Sequence, residues 1–538
     1  MQLYSLQFVI FLAALLAVYY ALGRWVGRGQ WIALLVGSLG FYAATGIHNM
    51  LFILFTATTT WLVGLAFGKL EERSKQARAQ AADRKEKKAI KARFGRRKWY
   101  VLLAAMLVNF GVLAYVKYWN VLLDGLGMGD SFLASSLLLP LGISFYTFQS
   151  VGYLIDCYNG KFPPEGNYAK YLLFVSFFPQ LIQGPINRYD HMATQLYERH
   201  RFSLHQARRS LLLIGFGCMK KFMIADMLSG IVNICLDGWT IQTTGVIIEP
   251  GLDPSTPGCV IVFAILLYTI QQYGDFSGGI DMVRGVGHLF GIDMADNFRQ
   301  PYFSVSLADF WRRWHITLGA WMRDYVFYPL AVHKSMLRLN KWGTAHLGKH
   351  VGRTLSACIG NIVVFLLVGL WHGAETHYIL WGLYNGVVIA ASDMMRPAFA
   401  ALGRKLHVNL ESHGYHVFAI LRTFLLVNIG RYFDRFTDFG DCLQAFYNTL
   451  FHFDAGQFMT WMTAHPLFDL RITLVMAGIG CIIVFIVSFN RERGCDVAAR
   501  FLTWNGALRA VIYIFVGALV VFSFAYSGSA GEFLYANF

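Results

Sequence analysis

Charged side chains are scarce in this chain of 538 residues, since Asp, Glu, Lys and Arg together make up 14 % of it. Soluble proteins carry about 25 %. Apolar residues account for 56 %, and runs of membrane-spanning length recur from residue 2 to residue 526. The eight cysteines include no Cys-X-X-Cys pair, so the sequence predicts neither a zinc cluster nor a disulfide framework. The composition excludes a soluble enzyme and predicts a membrane protein.

The net charge of +15 is concentrated in one segment, because residues 69–98 carry 13 Lys and Arg against four Asp and Glu. Basic residues that flank membrane spans are retained on the cytoplasmic side. This rule explains the charge without nucleic acid. We therefore place the segment in the cytoplasm and expect no nucleic-acid partner.

The apolar runs predict an all-α polytopic fold with about 11–12 transmembrane helices and both chain ends outside. With residues 69–98 in the cytoplasm, the order of the spans places the acidic segments 124–130 and 237–257 outside the cell and the basic stretch 309–353 in the cytoplasm. Residues 171–187 are apolar but contain two prolines and a glycine, which disfavour a straight helix. We predict a re-entrant element there, interfacial helices elsewhere, and a first span that is not cleaved.

His372 is the most unusual ionisable residue of the sequence. It follows 17 residues, 355–371, that contain no acidic or basic side chain. A helix of that length spans about 26 Å, so the imidazole lies at the membrane boundary, where ionisable groups are usually functional. The imidazole can act as a general base, or it can form a structural hydrogen bond between two helices. Its position in the sequence favours neither role over the other. Glycines at four-residue spacing predict close helix packing around it, at Gly369, Gly373, Gly382 and Gly386.

The sequence predicts no metal site. His372 and His377 would stand about 140° apart on a helix and cannot share an ion. Asp275 and Asp281 lie at the inner end of another span. Two carboxylates are too few for a calcium loop, so we expect them to pair with arginine.

His315 is the second candidate. A helical projection of residues 308–330 places it on one face with Trp311, Leu318 and Met322, while Arg312 and Arg323 line an adjacent face. An apolar helix that is rich in tryptophan and arginine and lies on the cytoplasmic side favours an interpretation as an interfacial anchor. The alternative is an entrance for an acyl donor, with arginines binding phosphates and tryptophans lining an apolar path.

Five ordered blocks of the sequence resemble the membrane-bound O-acyltransferase family, and most of all its branch that contains the alginate O-acetylation membrane protein. The blocks are 140–160, 177–196, 273–292, 297–330 and 369–386. The resemblance is strong over about 140–395 and weaker outside it, although the ending GEFLYANF is also similar. It suggests N-terminal helices at 1–130, a catalytic core at 131–395 and C-terminal helices at 396–538.

The resemblance implies a helical fold around a central tunnel that opens to the cytoplasm and the exterior. Its catalytic histidine matches His372, and a second family histidine matches His315. In the block around His315, the residues expected to bind the acyl donor are Trp311, Arg312, Arg313 and Trp314. Two further residues, Trp371 and Asp275, are expected to line the tunnel. The stretch 424–436 departs from the family pattern, so no family role is carried over to it.

The resemblance also implies the reaction. An acetyl group is taken from a cytoplasmic thioester such as acetyl-CoA, or an acyl-carrier thioester, without a bound cofactor. An extracytoplasmic SGNH-type acyltransferase or a small membrane partner then passes it to a polysaccharide. These expectations describe a multi-pass bacterial plasma-membrane enzyme in lipid. The group that donates a hydrogen bond to the thioester oxygen is not identified by the sequence. The candidates are His315, an indole N–H and a backbone N–H. Alternatives are D-alanyl transfer to teichoic acid, a polysaccharide-export subunit and a structural subunit.

Overall fold

The computed structural model describes residues 3–27, 29–128, 139–237, 251–464 and 470–527. In these ranges regular structure is helical, apart from an isolated antiparallel bridge between Phe298 and Trp314. Seven of the described helices are long and apolar enough to cross a membrane. The prediction of an all-α polytopic membrane protein is confirmed, while the full count of 11–12 crossings stays a prediction.

The first half of the chain contains ten helices among the described residues. They are α1 (Leu6–Trp25), α2 (Gln30–Ala43), α3 (Asn49–Gln80), α4 (Arg84–Gly125), α5 (Ile143–Asn159), α6 (Tyr168–Ser176), α7 (Phe178–Gln183), α8 (Tyr189–Tyr197), α9 (Leu204–Met219) and, after a π-helical turn at Lys220–Asp226, α10 (Met227–Asp237).

The second half continues with fourteen helices among the described residues, a 3-10 turn at Pro301–Phe303 and a π-helical turn at Arg323–Phe327. They are α11 (Gly258–Leu289), α12 (Leu307–Arg313), α13 (Ile316–Met322), α14 (Tyr328–Ala331), α15 (Lys334–His346), α16 (Lys349–His372), α17 (Thr376–Met394), α18 (Arg396–Lys405), α19 (His413–Arg435), α20 (Phe439–Phe451), α21 (Gln457–Ala464), α22 (Leu470–Glu492), α23 (Val497–Leu502) and α24 (Gly506–Tyr526).

The chain forms two compact units. Among the described residues, one unit contains those up to 214 together with 282–295, and the other contains those of 215–281 and of 296–527. Both histidines of interest belong to the second unit. The three-part division expected from the family resemblance stays a prediction.

The re-entrant prediction for 171–187 agrees with a broken helix in the first unit. Helices α6 and α7 have nine and six residues, and at 1.5 Å per residue neither can cross a membrane. Pro179 lies at the start of α7, where its missing N–H costs least. All residues from 171 to 187 are buried, as broken backbone in a membrane protein requires.

Three expectations lie wholly or partly outside the described residues. These are residues 129–130 of the acidic segment 124–130, residues 238–250 of the acidic segment 237–257, and the ending at 531–538.

Candidate active site

His372 is the last residue of α16, and the helix ends at Gly373. Its side chain is 7 % exposed. Among the described residues, its ring packs against those of Trp371, Trp381 and Tyr378, with centroid distances of 4.8, 5.3 and 5.7 Å. The imidazole therefore lies in an aromatic enclosure at the end of a membrane-spanning helix.

The enclosure depends on close packing of α16 against α17, as the glycine spacing predicts. A Cβ atom on Gly369 would overlap the carbonyl oxygen of Tyr378, and one on Gly382 would overlap that of Phe365. On Gly386 it would lie 2.9 Å from the Cα atom of Ile362. Because these glycines lack side chains, the two backbones approach closely enough for α17 to hold Trp381 and Tyr378 against His372.

His315 does not lie on a continuous helix, so the helical projection of 308–330 is wrong. The chain breaks between α12 and α13, and His315 has a left-handed backbone conformation with φ of 48°. The helix is interrupted because residues 297–299 form hydrogen bonds with backbone groups at the break. The N–H of Arg299 donates to the carbonyl of Arg313 (2.9 Å), and the N–H of Ile316 donates to the carbonyl of Asn297 (3.1 Å). Non-glycine residues with positive φ often mark functional sites.

The break buries His315, which is 3 % exposed, in a polar contact. Its Nδ1 lies 3.2 Å from Oδ1 of Asn297, and Phe276 packs edge-on against the ring at 4.9 Å. His315 lies outside the seven candidate spans. Burial lowers the pKa of His315 to about 3, so the imidazole is neutral at neutral pH.

Trp371 brings the two predicted histidines together. Its ring centroid lies 6.0 Å from that of His315 and 4.8 Å from that of His372, and its side chain is buried. Two imidazoles that are 57 residues apart in sequence are thus separated by one indole ring. The expected place of Trp371 along a tunnel stays a prediction.

The two tryptophans expected at the donor entrance are packed and bonded. The indole N–H of Trp311 donates to Oδ1 of Asn385 (3.0 Å), which ties α12 to α17. Trp314 is buried, with Phe298 edge-on at 5.0 Å and the guanidinium of Arg431 5.1 Å above its ring. Both side chains are therefore packed against other residues of the second unit, and a role in donor binding stays a prediction.

The two arginines expected at the entrance differ. The side chain of Arg313 forms ion pairs with Glu492 (2.8 Å) and Asp309 (3.1 Å). That of Arg312 is 70 % exposed and approaches Asp309 at 3.4 Å. Since surface pairs of this kind contribute little, Arg312 is the better placed of the two to meet an anionic ligand.

Asp275 is 1 % exposed, and its expected pairing with arginine is wrong. Lys221 of the π-helical turn contacts Asp275 at 2.7 Å and Asp226 at 2.9 Å, while Lys220 contacts Asp281 at 2.6 Å. The lysines reach the carboxylates because α11 carries glycines where it meets the turn: a Cβ on Gly274 would lie 2.9 Å from the carbonyl oxygen of Lys220.

Sequence reasoning missed three groups of buried polar residues in the second unit. Lys220 and Lys221 interrupt an apolar run, and that interruption was a usable signal. Asn297 contacts His315, which lies 18 residues later in the sequence, and no local sequence pattern predicts this contact. Arg431 lies in the stretch 424–436 that departs from the family pattern, yet it covers the ring of Trp314.

Comparisons with known proteins identify the family. The family described as MBOAT, membrane-bound O-acyltransferase, matches residues 165–410. A probable alginate O-acetylase AlgI from Pseudomonas syringae pv. tomato is 32 % identical over 78 % of this chain and 69 % of its own length. A peptidoglycan O-acetyltransferase from Helicobacter pylori is 28 % identical over 82 % of this chain and 83 % of its length. A teichoic acid D-alanyltransferase from Bacillus subtilis is 28 % identical over 55 % of this chain and 69 % of its length.

The match to the alginate O-acetylase covers most of both chains. The family match at residues 165–410 includes both His315 and His372. The apolar helices, the helix-terminal histidine and these relatives lead to one conclusion: the chain belongs to the membrane-bound O-acyltransferase family and is a membrane O-acyltransferase.

Proposed function

We propose that the protein takes an acetyl group from a thioester on the cytoplasmic side of a bacterial plasma membrane and delivers it outward for O-acetylation of a polysaccharide. The observation that carries the proposal is the placement of His315 and His372 on one indole, Trp371. The relatives with the longest shared segments, named for O-acetylation, support acetyl as the acyl group.

The chemistry needs a base and an activated acyl group. The neutral imidazole of His372 takes the proton of an acceptor hydroxyl, whose oxygen attacks the thioester carbonyl. The carbon–sulfur bond breaks, the sulfur leaves as a thiol after taking back the proton, and an ester remains. A thioester is activated enough that this scheme uses no resident metal or redox cofactor.

The site also addresses a transport problem. A donor such as acetyl-CoA carries phosphates and cannot cross lipid. In our proposal, its acyl end enters a tunnel from the cytoplasm at the His315 end, with Arg312 meeting its phosphates, and the acceptor hydroxyl reaches His372 from the exterior. The acceptor belongs to the polysaccharide, to an SGNH-type acyltransferase or to a small membrane partner.

Two other functions compete with this proposal. D-alanyl transfer from a carrier protein uses the same kind of thioester, and a named D-alanyltransferase is among the relatives. A polysaccharide-export subunit would move substrate without forming an ester. The identity of the acyl donor distinguishes D-alanyl transfer from our proposal. Transfer of a labelled acyl group to an acceptor distinguishes a polysaccharide-export subunit from it.

The test supplies membranes containing the full-length protein with labelled acetyl-CoA or with a labelled D-alanyl carrier protein. We expect label from acetyl-CoA to be retained as an ester that alkali removes, and no retention from the D-alanyl carrier. Retention of the D-alanyl label alone would replace acetyl by D-alanyl. Movement of polysaccharide without any retained label would contradict acyl transfer.

A further inference from the structure

Asn297 holds His315 through one atom that has three partners. Its side chain is fully buried. Its Oδ1 lies 3.1 Å from the backbone N–H of Thr317, 2.9 Å from the Thr317 hydroxyl and 3.2 Å from Nδ1 of His315. The break between α12 and α13 is what brings these four groups together.

The orientation of the amide follows from the backbone. The N–H of Thr317 can only donate, so the atom facing it must be an acceptor. Turning the amide over would set its NH₂ group against that N–H, donor against donor. The oxygen of Asn297 therefore faces Thr317 and His315, even though its Nδ2 has no hydrogen-bond partner within the described part of the chain.

This orientation determines the tautomer of His315. An oxygen acceptor opposite Nδ1 requires the proton to be on Nδ1. A neutral imidazole carries one ring proton, so Nε2 then has a lone pair. Phe276 and Trp371, whose rings also contact His315, carry no charge that would favour a second proton.

We propose that Asn297 is a positioning residue that holds His315 as the Nδ1–H tautomer and thereby makes Nε2 a hydrogen-bond acceptor for the acyl donor. This inference rests on the proposed function only in naming the donor as the ligand. It fits donors whose thioester arm carries amide N–H groups, as a phosphopantetheine arm does. It also removes neutral His315 from the candidates for the group that donates to the thioester oxygen.

The tautomer can be measured without turnover. Full-length protein with ¹⁵N-labelled histidine is compared with the His315→Gln variant by solid-state NMR in lipid at neutral pH. The signals lost in the variant are expected to be a protonated Nδ1 and an unprotonated Nε2. A protonated Nε2 at position 315 would overturn the proposal.

Kinetics test the consequence. Asn297→Ala removes the acceptor, and we expect the KM for the donor to rise about 10- to 100-fold, with a smaller change in kcat, which is the size typical of a lost orienting partner. Asn297→Asp keeps the oxygen but adds a negative charge, which favours the imidazolium. Its donor KM is expected to rise as the pH falls toward about 6, while the wild-type KM stays level over that range.

Asn448→Ala is the matched control, because Asn448 is also buried and donates to the carbonyls of Pro254 and Thr256. It measures the effect of losing a buried amide away from the histidines, and its donor KM should match the wild type. Unchanged donor KM in both Asn297 variants would overturn the proposal. If wild-type membranes retain no acyl label, the proposed function fails, while the NMR result still decides the tautomer.

Discussion

Replacing His372 with alanine is expected to lower the rate of acyl transfer by about 10²- to 10⁴-fold, the usual contribution of a general base. The reason is that the hydroxyl keeps its proton and stays a poor nucleophile. The measurement is the initial rate of label transfer from acetyl-CoA, with equal amounts of protein in the membranes. Thermal unfolding of the purified variant reports whether the fold survives.

His350→Ala is the matched control for this experiment. His350 lies near the start of the same helix, α16, and its Nε2 lies 3.0 Å from the carbonyl oxygen of Asp393. We expect this variant to transfer label at the wild-type rate. Equal rates in His372→Ala and the wild type would remove His372 from the chemistry and favour a structural role for the imidazole.

Replacing Lys221 with methionine is expected to lower the free energy of unfolding by about 3–5 kcal/mol, as removing one member of a buried charge cluster does. The side chain of Lys221 is 2 % exposed and contacts two carboxylates, those of Asp275 and Asp226. Without the ammonium group both carboxylates stay in an apolar interior. The measurement is denaturant unfolding of the detergent-solubilised protein, followed by tryptophan fluorescence.

Asp275→Asn is the comparison variant. It removes one carboxylate, but Lys221 keeps the contact with Asp226, so the expected loss is about 1–2 kcal/mol. This difference between the variants is the specific prediction. Equal losses, or a Lys221→Met variant as stable as the wild type, would show that the cluster is not what stabilises the packing of the π-helical turn against α11.

The features that sequence alone predicts are those set by neighbouring residues. The spans follow from long apolar runs, the broken element at 171–187 from its prolines and glycine, and the packing of α16 against α17 from four-residue glycine spacing. His372 stands out for the same reason, since it interrupts an apolar context that the sequence displays directly.

The features that sequence does not predict depend on residues far along the chain. A helical projection assumes that each backbone N–H bonds within the helix, but residues 297–299 take up the groups around His315. The lysine partner of Asp275 lies 54 residues earlier. Neither contact has a local signal strong enough to name the partner, although paired lysines in an apolar run do predict buried acids.

The central claim is that a thioester meets an acceptor between two imidazoles that share Trp371. The direct measurement is an electron cryo-microscopy structure of the full-length protein in lipid with a non-transferable acetyl thioester analogue. We predict density for its acyl end beside Trp371, about 3 Å from the ring of His372, with the thioester arm passing His315. An analogue bound elsewhere, with both imidazoles enclosed by protein and no opening to either side, would contradict the account.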